Sequence, residues 1–181
     1  DVDSLGKTFV YGFQRPDGDD RYATLSRTAT LSRQLSMFFK YYINDVLKNG
    51  ETQWLSGHAE RNTTIVYSGG DDIFLVGSWN DVIAAFIDLR NALQRFTQGT
   101  LTISGGVGLY QPGYPINMIA GEVADLEDFS KSLPGKNGIT LFNEESGYSW
   151  DVFLNQVLGE KFSEISTFFK ATEERGMSFL Y

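Results

Sequence analysis

The sequence predicts an α+β fold with a single core, and two observations carry this prediction. Apolar residues recur every three or four positions in three segments, which is the pattern of an amphipathic helix, and these segments alternate with short runs rich in β-branched and aromatic residues. The 181 residues are 41% hydrophobic and 14% aromatic, so the chain can bury enough apolar surface to offset its conformational entropy. We therefore expect one packed domain of ordinary size, with a small appendage at most.

The first half of the chain divides into a short strand, a loop, a long helix and a hairpin. The sequence Lys48-Asn49-Gly50 is suited to the end of the helix, and Gly69-Gly70 separates the two strand-like runs of the hairpin. The predicted elements are the strand Asp1–Asp3, a loop at 14–21 with the turn signal Pro16-Asp17-Gly18, a helix at about 24–47 with the apolar face Leu31, Leu35, Phe38, Tyr42 and Val46, and strands at 63–67 and 73–76.

The second half contains two further helices and two further strands. Ser78 or Asn80 can cap the first of these helices, and Gly105-Gly106 predicts a bulge or a close backbone approach in the strand that follows it. The predicted elements are a helix with the apolar face Val82, Phe86, Leu89, Leu93 and Phe96, a strand at 101–104 that continues to Val107 and Leu109, a turn at 111–115, a helix at 116–132 ended by Pro134-Gly135, and a strand at 139–142.

The resulting order is β-α-β-β-α-β-α-β. It predicts a ferredoxin-like fold with an extra helix and strand, which is the topology of palm domains in polymerases and nucleotidyl cyclases. From Gly147 onward the pattern is helical. We predict a palm domain over residues 1–146 and the beginning of a helical C-terminal domain over 147–181, and we expect the chain to be a fragment of a longer polypeptide.

Composition excludes several classes of function. The formal net charge is −8, so we do not expect a surface that wraps nucleic acid by itself, and contact with RNA would be local or supplied by partners. The sequence has no cysteine, which excludes disulfides, thiolate catalysis and zinc sites with cysteine ligands. No run approaches the roughly 20 apolar residues of a membrane span. We predict a cytoplasmic location.

The sequence Gly69-Gly70-Asp71-Asp72 carries most of the predicted chemistry. Its adjacent carboxylates lie at the tip of the hairpin, while Asp1 and Asp3 point to the same side of a strand that a β-α-β-β unit places next to this hairpin. Three or four carboxylates can therefore converge. Their mutual repulsion favours a hard divalent cation, Mg²⁺ or Mn²⁺, although Gly and Asp also suit a hairpin turn for purely conformational reasons.

Such a centre is suited to phosphoryl or nucleotidyl transfer, in which two oxygen-ligated ions steady the attacking 3′-hydroxyl and the leaving pyrophosphate. The two glycines have a role in this interpretation, because a side chain at Gly69 or Gly70 would block the approach of a nucleotide to the backbone. Ser68 can hydrogen-bond the base or the ribose. These residues together form the predicted floor of a nucleotide site.

Four stretches resemble one known family, and they occur in the same order. They are Asp1-Val2-Asp3-Ser4-Leu5-Gly6, Ser68-Gly69-Gly70-Asp71-Asp72, Ser104-Gly105-Gly106-Val107 and Lys136-Asn137-Gly138-Ile139-Thr140-Leu141-Phe142. Together they are similar to the second palm domain of the large, polymerase-like subunit of type III CRISPR effector complexes. The first stretch is closer to the Csm (III-A) type than to the Cmr (III-B) type. The resemblance runs to about residue 142, and from Glu160 onward the sequence resembles the start of that subunit's C-terminal helical domain.

The resemblance implies an activity, a set of metal ligands and several partners. In this family, binding of target RNA elsewhere in the complex switches on the conversion of ATP to cyclic oligoadenylates, which are second messengers of antiviral defence. Asp1, Asp71 and Asp72 match the metal-binding positions, and Asp3 belongs to the same motif. The implied partners are ATP, the other subunits of a ribonucleoprotein complex, its guide and target RNA, and a second palm domain that completes the site. A membrane is not among them.

The resemblance also implies a lysine that meets phosphate. Ser130-Lys131, followed by Gly135-Lys136-Asn137, is similar to the stretch after the third helix in diguanylate cyclases and in this family. This chain has one residue more between the lysine and the glycine than the cyclase pattern has. We choose Lys131 ahead of Lys136 as the phosphate ligand.

Two alternatives remain open. A diguanylate or adenylate cyclase shares the palm and the hairpin, but here Asp-Asp follows the two glycines and the segment 136–142 leads into a helical tail. A degenerate palm that serves as a scaffold is the non-enzymatic alternative, and carboxylates at every metal position count against it. The HD nuclease domain of the family has no counterpart here. His58 is the only histidine, it has no adjacent Asp, and we interpret it as a polar loop residue.

Overall fold

The computed structural model of the chain describes residues 1–14, 17 and 20–170. Pro16 and Gly18 of the predicted turn, and the last residues of the predicted C-terminal region, lie outside this part. In the described part, the α-helices are α1 Leu5–Tyr11, α2 Leu25–Met37, α3 Ile43–Lys48, α4 Gln53–Ser56, α5 Trp79–Phe96, α6 Ile116–Ser132, α7 Trp150–Val152 and α8 Ser163–Lys170, and a π-helical stretch, Phe153–Phe162, joins α7 to α8. The strands are β1 Thr63–Gly69, β2 Asp72–Gly77, β3 Gly105–Val107, β4 Gly138–Leu141 and β5 Gly147–Ser149.

The long helix predicted at about 24–47 is present as one continuous helical segment. A π-helical turn, Phe38–Tyr42, joins α2 to α3. Thr24 caps the start of α2, since its hydroxyl accepts a hydrogen bond from the backbone nitrogen of Arg27. Helix α1 was not predicted, because it has only seven residues and contacts the core through Leu5 and Phe9 without a repeating apolar pattern.

The strands form one small sheet, a separate hairpin and one isolated pairing. Strand β3 pairs with β4 in parallel, and β5 pairs with β4 antiparallel, while β1 and β2 form the predicted antiparallel hairpin. The predicted first strand is a short stretch in which Val2 pairs with Ile103, supported by hydrogen bonds from Asp3 N to Thr102 O at 2.9 Å and from Ser104 N to Asp1 O at 3.0 Å. This antiparallel pairing places Asp1 on the same side of the fold as the hairpin.

Helix α5 lies at the centre of the core and contributes to two apolar clusters. Ala85, Leu89 and Leu93 pack with the helices α2 and α3, and Ile83 and Ile87 pack with the small sheet. Its neighbour α6 lies directly on β3, which fits the close approach predicted at Gly105-Gly106. A Cβ atom on Gly106 would lie 2.4 Å from Cβ of Leu126 in α6, so only glycine allows this contact.

The region after residue 146 differs from the predicted helical pattern at its start. Gly147–Ser149 forms β5, and the helix begins at Trp150, where the Ser149 hydroxyl accepts a hydrogen bond from Val152 N. Trp150 is fully buried, and its indole nitrogen donates to the carbonyl of Ile103 at 2.8 Å. Backbone pairing with β4 explains the strand, because three residues have too few side chains to show a pattern of their own. The domain boundary at 146/147 stays a prediction.

Candidate metal centre

The tip of the hairpin is a two-residue turn. Gly69 pairs with Asp72, so Gly70 and Asp71 are its central residues. Gly70 has a φ of +69°, and the turns that suit two-residue hairpins need a positive φ at this position. The register also shifts between Ile65 and Tyr67, as at a β-bulge. The backbone therefore presents Asp71 and Asp72 side by side at the end of the two strands.

Three carboxylates come together at this tip. Oxygen atoms of Asp1, Asp71 and Asp72 all lie within 4.8 Å of one another. Asp1 and Asp71 are half-buried and Asp72 is exposed. The convergence depends on the pairing of residues 1–3 with 102–104, which holds Asp1 next to the hairpin tip.

Asp3 has a different position from the one its sequence spacing predicted. It is 7% exposed, and its Oδ2 accepts hydrogen bonds from the Thr102 hydroxyl at 2.7 Å and from the backbone nitrogen of Asn137 at 3.0 Å. The chain leaves the extended conformation directly after it, since Ser4 has a φ of +55° and α1 begins at Leu5. Asp3 thus joins two loops, and of the three or four carboxylates that the sequence predicted, the cluster within the described residues has three, without Asp3.

Lys131 lies beside the cluster. Its ammonium group forms ion pairs with Asp1 and with Glu127, one helical turn earlier, where the distance from Nζ to Oε1 is 2.6 Å. The preceding residue, Ser130, anchors this part of α6 because its buried hydroxyl bonds Gly105 O at 2.8 Å and the Thr140 hydroxyl at 2.7 Å. Glu127 was missed in the sequence. The i, i+4 spacing from Lys131 was the available signal.

The other predicted site residues lie around this centre in less direct positions. The Ser68 hydroxyl donates a hydrogen bond to the carbonyl of Phe39, which connects the hairpin to the π-helical turn. Tyr67 covers Gly69, where an added Cβ would lie 2.7 Å from the tyrosine hydroxyl. Lys136 is in the loop before β4 with a φ of +54°, and within the described part of the chain it forms no ion pair. The nucleotide contacts of Ser68, Gly69, Gly70 and Lys136 stay predictions.

The donor set suits a hard divalent cation. All three side chains offer carboxylate oxygens, which are the ligands that Mg²⁺ and Mn²⁺ prefer. Asp1 Oδ1 is buried and has no hydrogen-bond partner among the described residues. A buried acceptor without a donor is costly, and a cation would satisfy it. The residues present therefore fit the predicted metal. That Asp1, Asp71 and Asp72 are its ligands stays a prediction.

An apolar groove of about 410 Å³, lined in part by Asp1 of the carboxylate cluster, was not predicted from the sequence. Asp1 and Glu127 are among its lining residues, and β2, α5, β3, the loop at 108–114 and α6 form its walls. Tyr110 and Tyr114 stack on each other in that loop, with ring centres 5.3 Å apart. The hydrogen bond from the Tyr114 hydroxyl to Glu122 raises the pKa of Tyr114, because the carboxylate favours the protonated phenol.

His58 lies apart from this centre. It belongs to the loop before β1, its Nε2 is 3.8 Å from Asp81 Oδ2, and its side chain is half exposed. This position fits its interpretation as a polar loop residue. No helix in the described part of the chain is both long enough and apolar enough to cross a membrane.

An α+β fold with an acidic hairpin tip, facing a carboxylate on a neighbouring strand, defines a palm domain. The profile of the family described as "Cas10/Cmr2, second palm domain" matches residues 1–140. The chain belongs to this family, as its motifs predicted.

Known relatives agree with this assignment. A protein of Mycobacterium tuberculosis (strain ATCC 25618 / H37Rv), named as the CRISPR system single-strand-specific deoxyribonuclease Cas10/Csm1 of subtype III-A, is 48% identical over 184 residues. The alignment covers 100% of this chain and 23% of that relative. The chain thus spans about a quarter of the length of this relative.

Solved structures show the same fold. A crystal structure of a Csm1–Csm4 cassette in complex with one ATP matches with a TM-score of 0.67 and 28% identity, over 83% of this chain and 22% of that chain. A Csm1–Csm4 cassette in complex with cA3 matches with a TM-score of 0.67 and 26% identity, over the same 83% and 22%. A Csm1–Csm4 subcomplex of the type III-A CRISPR–Csm interference complex matches with a TM-score of 0.68 and 28% identity, over 84% of this chain and 22% of that chain. Its subtype is the one that the first sequence stretch predicted.

Proposed function

We propose that this chain is the palm of a metal-dependent nucleotidyltransferase that converts ATP to cyclic oligoadenylates in type III-A CRISPR defence. The observation that carries the proposal is the cluster of Asp1, Asp71 and Asp72 at the hairpin tip with Lys131 beside it. Structures of related Csm1–Csm4 cassettes with ATP and with cA3 support ATP as the substrate class. Target RNA bound elsewhere in the complex switches the reaction on.

Each residue has a distinct task in the proposed reaction. Asp1, Asp71 and Asp72 would hold Mg²⁺ or Mn²⁺, and the metal, when bound, would supply positive charge that stabilises the triphosphate. Lys131 binds phosphate through its ammonium group. The backbone at Gly70, which has open space around it, lets the nucleotide approach the hairpin closely, with Gly69 and Ser68 at the end of the same strand.

The reaction joins one adenylate to the next. The 3′-oxygen of one ATP forms a bond to the α-phosphorus of another, the bond from that phosphorus to the β-bridging oxygen breaks, pyrophosphate leaves, and the hydroxyl proton passes to water. Repetition and ring closure by the same step release one pyrophosphate for each linkage. Positioning and charge stabilisation supply the catalysis, because the transferred group needs no covalent bond to the protein.

The complete protein supplies what this span lacks. A second palm completes the site, other subunits and the guide RNA build the complex, and residues 147–181 begin the helical C-terminal domain. A cytoplasmic location belongs to the same proposal. Csm4 is the partner in the related cassettes, which supports assembly with other subunits of a CRISPR complex.

The proposal is tested by Asp71→Ala/Asp72→Ala in the complete complex with target RNA. We expect oligoadenylate synthesis to fall at least about a hundredfold, because the metal loses two ligands, while RNA binding is kept. Asp125→Ala/Asp128→Ala is the matched control, since it removes two exposed carboxylates of α6. Unchanged synthesis in the first variant overturns the proposal.

Nucleotide choice separates the proposal from its alternatives. Calorimetric titration of ATP and GTP with Mn²⁺ into the complete protein is expected to show binding of ATP that depends on Asp71 and Asp72. A preference for GTP would favour a diguanylate cyclase instead. Absence of metal-dependent binding to either nucleotide would favour a scaffold.

A further inference from the structure

We propose that Lys131, held by Glu127, is a built-in counter-cation of the metal centre that the incoming divalent ion displaces from Asp1. Glu127 acts as the positioning residue, since it keeps the displaced ammonium group next to the centre. This inference rests on the proposed function and explains how the charge of the carboxylates is neutralised before the metal binds. Lys131 and Asp1 lie 130 positions apart along the chain.

The charges around the centre require a cation even without a metal. Carboxylate oxygens of Asp1, Asp71 and Asp72 lie within 4.8 Å of one another, and negative charges this close repel each other strongly. The Lys131 ammonium is the cation that contacts Asp1 among the described residues. It is 24% exposed and Asp1 is 14% exposed, so water screens this pair only in part.

The two oxygens of Asp1 have different surroundings. Oδ2 accepts from Lys131, while Oδ1 is buried with no hydrogen-bond partner among the described residues. A divalent ion shared with Asp71 and Asp72 would use the same carboxylate. Lys131 and the metal therefore compete for Asp1.

Glu127 gives the ammonium group a second carboxylate. The ion pair from Nζ to Oε1 is 2.6 Å long and lies within α6, so it survives when Asp1 turns to a metal. The buried hydroxyl of Ser130 fixes this turn of the helix against β3 and β4. An ammonium group has three donors, so Lys131 can stay on Glu127 and still donate to phosphate. The same lysine thus neutralises the empty centre and binds the substrate of the loaded one.

Metal affinity tests this competition directly. In the complete protein, Mn²⁺ binding is measured by calorimetry or electron paramagnetic resonance, and the relevant step is the one that disappears in Asp71→Ala/Asp72→Ala. Lys131→Met is expected to tighten that step about tenfold, because the competitor is removed. Lys48→Met is the matched control, since it removes the same charge from an exposed residue at the end of α3 that forms no ion pair in the described part, and it should leave the affinity unchanged.

The outcomes separate the two proposals. If Mn²⁺ binding does not depend on Asp71 and Asp72, the proposed function itself fails. If it does depend on them and Lys131→Met leaves the affinity unchanged or lowers it, only the competition is overturned.

Glu127 is tested through steady-state kinetics. Glu127→Gln is expected to raise KM for ATP about fivefold with little change in kcat, because the lysine is no longer held in place for phosphate. Glu127→Asp should restore part of the loss, and retention of the Asp71-dependent Mn²⁺ step shows that each variant is folded. A fall in kcat with unchanged KM would overturn the positioning role.

Discussion

At the scale of single residues, two aspartates separated by one position do different work. Asp1 faces the hairpin tip, whereas Asp3 accepts hydrogen bonds from Thr102 and Asn137 and lies away from the carboxylate cluster. Strand periodicity places both side chains on one side, but the turn at Ser4 redirects the chain directly after Asp3. The same residue type in one motif therefore joins the carboxylate cluster at one position and connects two loops at the other.

Asp3→Ala is expected to lower the free energy of unfolding by about 1–3 kcal/mol, because two donors near the start of β4 lose their acceptor. Urea unfolding measures this change. The Asp71-dependent affinity for Mn²⁺ should stay as it is, whereas Asp1→Ala should weaken it. If Asp3→Ala weakens Mn²⁺ binding as much as Asp1→Ala does, Asp3 belongs to the metal site.

Gly70 is the residue at which the hairpin needs glycine for its backbone. Its φ of +69° costs a residue with a side chain about 1–2 kcal/mol, so Gly70→Ala should lower the stability by that amount. Gly121→Ala is the control, because Gly121 lies inside α6 with open space around it and alanine there should stabilise the protein by about 0.5–1 kcal/mol. Thermal unfolding of the two variants compares their stabilities. Equal destabilisation by Gly70→Ala and Gly121→Ala would contradict the turn geometry.

At the scale of elements, a buried ion pair holds the connection between α3 and β1 to helix α5. Asp88 in α5 accepts from the backbone and hydroxyl of Thr52 at 2.9 and 2.6 Å, and from Arg61 Nε at 3.0 Å. Both charged side chains are almost fully buried. The pair thus positions the strand β1, and with it the hairpin tip that carries the candidate metal ligands.

Asp88→Ala is expected to lower the free energy of unfolding by about 3–5 kcal/mol, because the buried Arg61 guanidinium would lose its counter-charge and keep only its hydrogen bonds to Ser56 and His58. Glu51→Ala removes the exposed ion pair with Arg95 in the same region, and it should cost at most about 1 kcal/mol. Chemical denaturation of the two variants gives the comparison. If both variants lower the free energy of unfolding by a similar amount, the buried Asp88–Arg61 pair contributes no more to stability than the exposed pair does.

At the scale of the whole molecule, the chain matches only a part of its relatives. It covers 23% of the length of its Mycobacterium tuberculosis relative. We expect this span by itself to form no measurable cyclic oligoadenylate from ATP and Mn²⁺, because the proposed function requires a second palm to complete the site. The assay compares the span with the complete complex by chromatography of the products. Turnover by the span at the rate of the complex would show that one palm is sufficient.

The sequence determined the local parts of this protein. The helices α2, α5 and α6, the hairpin and the turn at Gly70 follow from apolar spacing and from glycine in a position of positive φ, and both are properties of neighbouring residues. The family also followed from short motifs, and the match over residues 1–140 confirms it. The short helix α1 and the strand β5 were not predicted, because their few residues are ordered by contacts with the rest of the chain.

Only the tertiary structure decided which charged groups meet. The contact of Lys131 with Asp1, the diversion of Asp3 and the groove beside Glu127 all join segments that are far apart in the chain. A local pattern tells which side of a strand or helix is buried, but it contains no information on the packing of that side against a distant element. Strand pairing and the seating of α6 on β3 supply that information, and they turn an acidic turn and a helical lysine into one candidate centre.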